Sequence, residues 1–399
     1  MKRRVAFQVA LTTTMLVLVL GAVSVITIAA YLNGRFTADD LSTQILKQSI
    51  QRVDQRVDSL FHTAITQSNV HKNLIESQSL DASNQPDLAT SFPEALLAHP
   101  ELSYLSFTSQ TTGEYCHATR NEKGELRIRR VKREGKQFQI RDYRRVEDSW
   151  ELVKDATPGR DTRERPWYQA AKNAGEQFWT ETYLFLGEDG TPEAPGVTLA
   201  TPVYAKDRNL VGVLTADINF TALSKFLKQL KVGKNGQAFI IELRGNGERR
   251  LIAHANDQIL TRAIKSEKGK TTYRAVSVQM AKDRLVRSFA SQLPKSIDRA
   301  DGHEVHKLAF DSAGESYLGG YNLLQKSQRA PWVIGLTLPE EEVVGSINRA
   351  NRIAILIAIV SGLIVIVVAV YLSKRIAKAI NKLVDETEEI AQFRLEPKE

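Results

Sequence analysis

The chain has 399 residues, 25% of them charged and 42% hydrophobic, with a formal net charge of +8. That length is enough for a sizeable core and for more than one folded module. The single cysteine, Cys116, excludes an intramolecular disulfide, and no spacing among the seven histidines makes a metal site, so neither a metal nor a cofactor is expected.

In chain order the first element is an apolar run over residues 5–32, preceded by Lys2, Arg3 and Arg4. At 1.5 Å per residue it can cross a hydrocarbon core of about 30 Å. A cleavable signal peptide is the rival reading, but its apolar stretch is usually about 7–15 residues, so an uncleaved helix is expected. Residues 39–74 then read as one long helix, because Ile45, Ile50, Val53, Val57, Leu60 and Ala64 recur at three- to four-residue steps. Such a stripe suits a stalk that either covers its own domain or pairs with a second copy.

From Leu102 the texture changes to short alternating runs. Gly-containing turns separate them, among them Thr111-Thr112-Gly113 and Asn121-Glu122-Lys123-Gly124, and the pattern predicts an antiparallel meander. Inside it, Arg127, Arg129, Arg130, Lys132 and Arg133 make either a solvated hairpin or a surface for an anionic ligand or lipid. Residues 161–174 read as helix, and 179–186, 197–204 and 210–217 as strands, the last two joined by a tight turn at Asp207-Arg208-Asn209. An amphipathic helix at 221–230 opens a second sheet-and-helix passage. Its expected strands are 237–243, 251–254, 308–312, 315–323 and 332–338, with helical period over 270–296.

A second apolar run occupies residues 353–372, and Lys374, Arg375, Lys378 and Lys382 follow it. With Lys2, Arg3 and Arg4 these put both basic flanks on one side, which the positive-inside rule makes the cytoplasm. The region between, 33–350, is then extracytoplasmic and meets no nucleic acid, and part of the net charge reflects topology.

Four segments carry a family resemblance: Asp161-Thr162-Arg163-Glu164-Arg165-Pro166-Trp167-Tyr168, Gly212-Val213-Leu214-Thr215-Ala216-Asp217, Gly236-Gln237-Ala238-Phe239-Ile240-Ile241 and Trp332-Val333-Ile334-Gly335-Leu336. In order and spacing the chain resembles the double Cache (dCache) sensor family over nearly all of the exported region. The resemblance implies an α+β fold in which a long N-terminal stalk helix carries two tandem PAS-like (Cache) antiparallel-sheet modules. These would be a membrane-distal module at 75–220 and a membrane-proximal one at 221–340, flanked by the two transmembrane helices.

Residue chemistry suggests where a ligand would sit. Arg165 can hold a carboxylate in two parallel hydrogen bonds. Trp167 and Tyr168 supply rigid aromatic walls with polar tips, and Asp217 at a strand end complements an amine. In the amino-acid-binding branch of the resembled family, the matching Arg, Trp, Tyr and Asp do these jobs, and Tyr183 matches a further pocket position of the family. A structural alternative stands beside this. Arg-Pro-Trp-Tyr can be a helix-opening corner, and Asp217 can cap the helix near Thr221 or pair with Arg165. The chain departs from the branch at Arg160, where a Tyr is usual, and at Phe185, where an Asp can assist the ammonium. Both changes favour a more negatively charged ligand such as a carboxylic acid. The second module has no comparable convergence of polar groups, His254 reading as a strand residue near a turn, and is expected to relay rather than bind.

Beyond the second run, residues 373–383 resemble the opening of a HAMP linker, although Ala379 stands where Pro is usual. Ile376, Ile380, Leu383, Thr387 and Ile390 follow heptad-like steps, as in a dimeric coiled coil. The expectation is a two-pass receptor of the bacterial inner membrane, homodimeric, with both termini cytoplasmic. It would bind a small organic acid or amino-acid-like ligand and signal through the second span and a partial HAMP-like linker at 373–399. It holds no catalytic constellation, so it is expected to be no enzyme. Segments 223–239, 332–339 and 386–395 look most like the input half of receptor-type class III cyclases. The alternative is therefore the N-terminal fragment of a receptor adenylate or guanylate cyclase, kinase or chemoreceptor whose output domain is missing.

Overall fold

The computed structural model describes residues 2–120, 124–157, 159–186, 192–265, 271–294, 297, 305–324 and 331–391. Asn121, Glu122 and Lys123 of one expected turn, residues 270, 295 and 296 of the expected helical stretch, and residues 392–399 of the linker lie outside these. The chain divides into residues 44–339 and a second part made of 1–43 and 340–399.

In the second part, α1 (Lys2–Glu76) begins and α6 (Glu340–Ala391) runs to the end of the described chain. Each holds a stretch long and apolar enough to cross a membrane, with mean hydropathy 2.2 within Leu16–Glu76 and 3.3 within Arg352–Val384. Ala379 lies inside the unbroken α6, in keeping with the missing proline.

Within 44–339, the remainder of α1 turns a buried stripe of Leu46, Ile50, Val53, Val57, Leu60, Ala64 and Ile75 inward. The stripe packs against this chain's own sheets, the first of the two uses the periodicity allows. After α1 come α2 (Gln85–Ala98) and the strands β1 (Tyr104–Ser109), β2 (Tyr115–Arg120), β3 (Leu126–Glu134), β4 (Gln137–Val146) and β5 (Ser149–Ala156). A single 3-10 turn at Thr162–Glu164 and α3 (Pro166–Ala174) precede β6 (Phe178–Trp179), β7 (Tyr183–Leu186), β8 (Pro192–Tyr204) and β9 (Leu210–Asn219). These strands form one antiparallel sheet ordered β5-β4-β3-β2-β1-β9-β8-β6, with β7 also paired to β8. The expected helix over 161–174 is thus split. Pro166 disfavours helical backbone at the residue before it, so Arg165 is extended at φ −69° and ψ 141° and the helix starts anew at Pro166.

The smaller sheet follows α4 (Thr221–Gln229). It comprises β10 (Gln237–Leu243), β11 (Arg249–His254), β14 (His306–Ser312), β15 (Glu315–Leu324) and β16 (Trp332–Pro339) in the order β11-β10-β16-β15-β14, while β12 (Thr261–Lys265) and β13 (Thr271–Ala275) pair separately. Among the described residues, the helical period over 270–296 is realised as α5 (Arg284–Gln292) and a 3-10 turn at Val278–Met280. Thr271, Thr272 and Tyr273 are strand formers, and Asp283 starts the helix by accepting from the backbone N–H groups of Leu285 and Val286. One face of this sheet, with Ile240, Ile334 and Leu336, joins the α1 stripe and the apolar face of the larger sheet in one core; the other face packs Phe239, Val333 and Leu323 against Val286 and Phe289 of α5.

Candidate functional site

The larger sheet has one apolar and one polar face, and register is what separates them. Pairing aligns Thr198, Asp217, Tyr104 and Thr119 across β8, β9, β1 and β2. It also aligns Thr215, Ser106, His117, Arg129 and Asp142 across β9, β1, β2, β3 and β4. Directly paired residues share a face, so Leu105, Phe107, Ala118 and Leu214 point to the core while this set points away. The polar face is nonetheless buried. Ser106, Asp142, Thr198 and Thr215 are each 1% exposed, His117 8% and Asp217 9%.

Buried polar groups need partners, and most of these have them. Arg129 grips Asp142 with two hydrogen bonds, Nε to Oδ1 at 2.6 Å and Nη2 to Oδ2 at 2.8 Å. The Ser106 and Thr215 hydroxyls lie 2.6 Å apart, and the Tyr115 hydroxyl lies 2.9 Å from Nδ1 of His117. Burial, helped by the Arg129 cation, pushes the His117 pKa down to about 3, so the ring is neutral. Asp217 is the exception. Thr215 reaches its Oδ2 only at 3.5 Å, and the buried Oδ1 has no hydrogen-bond partner among the described residues. Burial raises its pKa to about 7, against the opposing pull of the Thr198 and Thr215 hydroxyls.

An aromatic wall stands beside this carboxylate. The Tyr183 hydroxyl is 2.5 Å from Oγ1 of Thr198, the register partner of Asp217. Tyr183 is exposed as a residue, but desolvation at its hydroxyl, with the Asp217 charge adding to it, lifts that phenol above its ordinary pKa. The Tyr183 ring meets Phe185 edge-on at 4.9 Å, Phe185 meets Tyr104 at 5.6 Å, and Tyr104 meets His117 at 5.7 Å. Phe185 sits directly on Gly196, where an added Cβ would come within 2.2 Å of the ring and 2.5 Å of the Ile218 carbonyl oxygen.

Of the five residues singled out in the sequence, the fold brings Tyr183 and Asp217 onto this face. Arg165 is exposed, with no hydrogen bond or ion pair to its side chain among the described residues, and its charge still acts on the Tyr183 phenol. Tyr168 and Trp167 belong to the roof. Tyr168 is fully buried, donates to Oε1 of Gln110 at 2.8 Å and packs with Ala171, Phe178, Ala200 and Val213, and Trp167 leans on it at 5.9 Å. They seat α3 over the sheet. Among the described residues neither structural role considered for Asp217 is realised, since Asn219 Oδ1 accepts from the Thr221 N–H at the start of α4 and no ion pair joins Asp217 to Arg165. Tyr104, Ser106, His117, Thr198 and Thr215 escaped the sequence reading. The only local signal for them is the loose alternation of hydroxyl and apolar residues along β1, β8 and β9. A separate small cleft lies behind the sheet among Gln85, Leu88, Phe107, Glu114 and Cys116, away from Asp217.

A family model described as Cache domain matches residues 35–347. The chain is 25% identical over 221 residues to the methyl-accepting chemotaxis protein McpA of Pseudomonas putida, covering 54% of this chain and 29% of that protein. It is 23% identical over 232 residues to the methyl-accepting chemotaxis protein McpC of Bacillus subtilis, covering 58% and 28%. It therefore spans less than a third of the length of these curated relatives. Among solved structures, the ligand-binding domain of the Pseudomonas aeruginosa amino acid chemoreceptor PctC in complex with GABA matches with TM-score 0.45 and 15% identity, over 74% of this chain and 99% of that one.

Proposed function

The chain belongs to the Cache domain family over residues 35–347, and from that premise we propose that it is the sensor part of a membrane receptor whose ligand is a small zwitterion of the amino-acid class. The observation that carries this reading is Asp217, a buried carboxylate on a polar face with one oxygen that has no hydrogen-bond partner among the described residues. An ammonium seated on Oδ1 supplies the missing partner and favours the ionised carboxylate. Tyr183 and Tyr104 offer aromatic faces to the same cation. Arg165, free near Tyr183, offers its guanidinium fork to the ligand carboxylate. Phe185 in place of a second acid, which by itself favours a more acidic ligand, still leaves Asp217 to meet one positive charge.

The relatives named above are chemotaxis receptors, which supports transmission across a membrane. The candidate spans in α1 and α6 carry basic flanks on one side, which supports cytoplasmic termini and an extracytoplasmic sensor. Ligand affinity that differs between two arrangements of the domain then shifts α6 and whatever cytoplasmic output is attached to it. The heptad-like residues Ile376, Ile380 and Leu383 are exposed, as a homodimer seam requires.

A second reading, an organic acid without an amine, draws on the free guanidinium of Arg165. A thermal-shift series on the detergent-solubilised chain separates the two, using the twenty common L-amino acids, their decarboxylated amines and their deaminated acids. We expect an amino acid to raise the melting temperature by several degrees at about a hundredfold excess over Kd, and Asp217→Asn to abolish the shift. A shift from acids alone that survives Asp217→Asn selects the second reading. No shift from any compound removes the sensor reading.

A further inference from the structure

The backbone immediately before Tyr183 is held by side chains from the other sheet. Glu242 of β10 accepts from the Thr182 N–H at Oε1, 3.0 Å. Arg244, just beyond β10, donates from Nη2 to the Thr182 carbonyl at 2.5 Å and from Nη1 to Glu181 at 3.0 Å. The two side chains are themselves paired, Arg244 Nε to Glu242 Oε2 at 2.9 Å, and Glu242 is 0% exposed. Both backbone polar groups of Thr182 are thus bound by one buried ion pair.

Such a pair adds little net stability, because desolvation offsets the Coulomb gain, and its best-attested use is to fix registry. Here it fixes the register of a segment that the sheet alone holds weakly. β7 is four residues long, and its pairing with β8 shifts register between Leu184 and Leu186. On one side of the pair is Tyr183, whose hydroxyl meets the register partner of Asp217. On the other side, Glu242 pairs in register with Trp332 of β16. The Trp332 ring meets Phe61 of α1 at 5.3 Å and Phe220 at 5.1 Å, and β16 ends at Pro339, from which the chain enters α6.

We propose that the Glu242–Arg244 pair is the clasp that couples the Asp217 face to the smaller sheet. Any displacement of Tyr183 draws Thr182 with it, and the clasp passes that displacement to β10 and β16. This rests on the sensor reading for its biological use, but the coupling itself exists without a ligand and is tested without one.

Amide hydrogen exchange on the full chain in nanodiscs, with no ligand added, follows peptides 237–243 and 332–339 in four proteins: wild type, Tyr183→Phe, Arg244→Gln and the double variant. Tyr183→Phe is expected to change exchange of these peptides by about fivefold or more, the lower end of typical coupling between sites, and to have no effect on them in the Arg244→Gln background. Because Arg244→Gln strands the buried Glu242 charge, Glu242→Met with Arg244→Met provides a second clasp-free background without a lone charge. An equal effect of Tyr183→Phe on all backgrounds, or none on any, overturns the clasp. A mixture of the twenty L-amino acids is then added to wild type. Protection gained at 197–219 together with 237–243 supports the proposal, and protection at 197–219 alone overturns it. If 197–219 does not respond, the ligand class proposed above is what fails, and the ligand-free comparison still decides the clasp.

Discussion

A carboxyl group nine-tenths buried, with one oxygen lacking a hydrogen-bond partner among the described residues, is expensive to ionise, and Asp217 carries that cost. Its folded pKa of about 7 lies above the unfolded value of about 3.9, so the folded state holds the proton more tightly. Its contribution to stability is complete below about pH 4 and is lost as pH rises through about 7. Asp217→Asn should therefore match wild type near pH 4 and exceed it by about 1–4 kcal/mol at pH 8 in urea unfolding. A wild-type profile that parallels the variant from pH 4 to 8 would remove this account. Gly196 gives a second, steric prediction. An alanine there cannot coexist with the Phe185 ring and the Ile218 carbonyl, so Gly196→Ala should cost about 1–3 kcal/mol and disturb the aromatic wall, read as altered near-ultraviolet circular dichroism. At this scale the sequence is partly legible. Asp217 stands out by residue type and Tyr183 through the family resemblance, but His117 and Ser106 do not, because nothing local says that β1 pairs with β9 from over a hundred residues away. Tyr168 looks the same in sequence as a ligand wall and as a core anchor, and only its fully buried ring and its bond to Gln110 tell which the fold uses.

Elements are legible where a single period runs long and lost where short signals compete. The α1 stripe and the amphipathic α4 can be read directly from spacing. Residues 270–296 mislead because the apolar steps of α5 follow closely on a strand containing Thr271, Thr272 and Tyr273 and a 3-10 turn at Val278–Met280, and the helix itself starts only at the Asp283 cap. That residue caps α5 and lies 3.3 Å from Nε2 of the buried His254, which holds its carboxyl down at about 2. A depressed pKa contributes stability above the unfolded value near 3.9 and loses it as pH falls through about 2. Asp283→Ala should cost about 1–2 kcal/mol at pH 7, mostly the cap, with the gap to wild type closing below about pH 4. Thermal melts of both proteins at pH 7 and pH 3 check the size and the closing.

At the scale of the molecule, α1 is a wall common to both sheets. Phe61 touches Trp179 of the larger sheet at 4.4 Å and Trp332 of the smaller at 5.3 Å. Phe61→Ala should then remove about 3–5 kcal/mol and lower one shared calorimetric transition for residues 44–339. Two separated transitions would show that the sheets melt independently. The shared wall also restricts how such a chain can be rearranged by recombination or by design. A crossover placed between the sheets, near residues 230–236, would hand each descendant half of a helix face cut to fit a sheet it no longer has. Exchanges that keep residues 44–339 intact carry the wall with both of its tenants, so the cassette that can be moved from one receptor to another is the pair of sheets and never one alone.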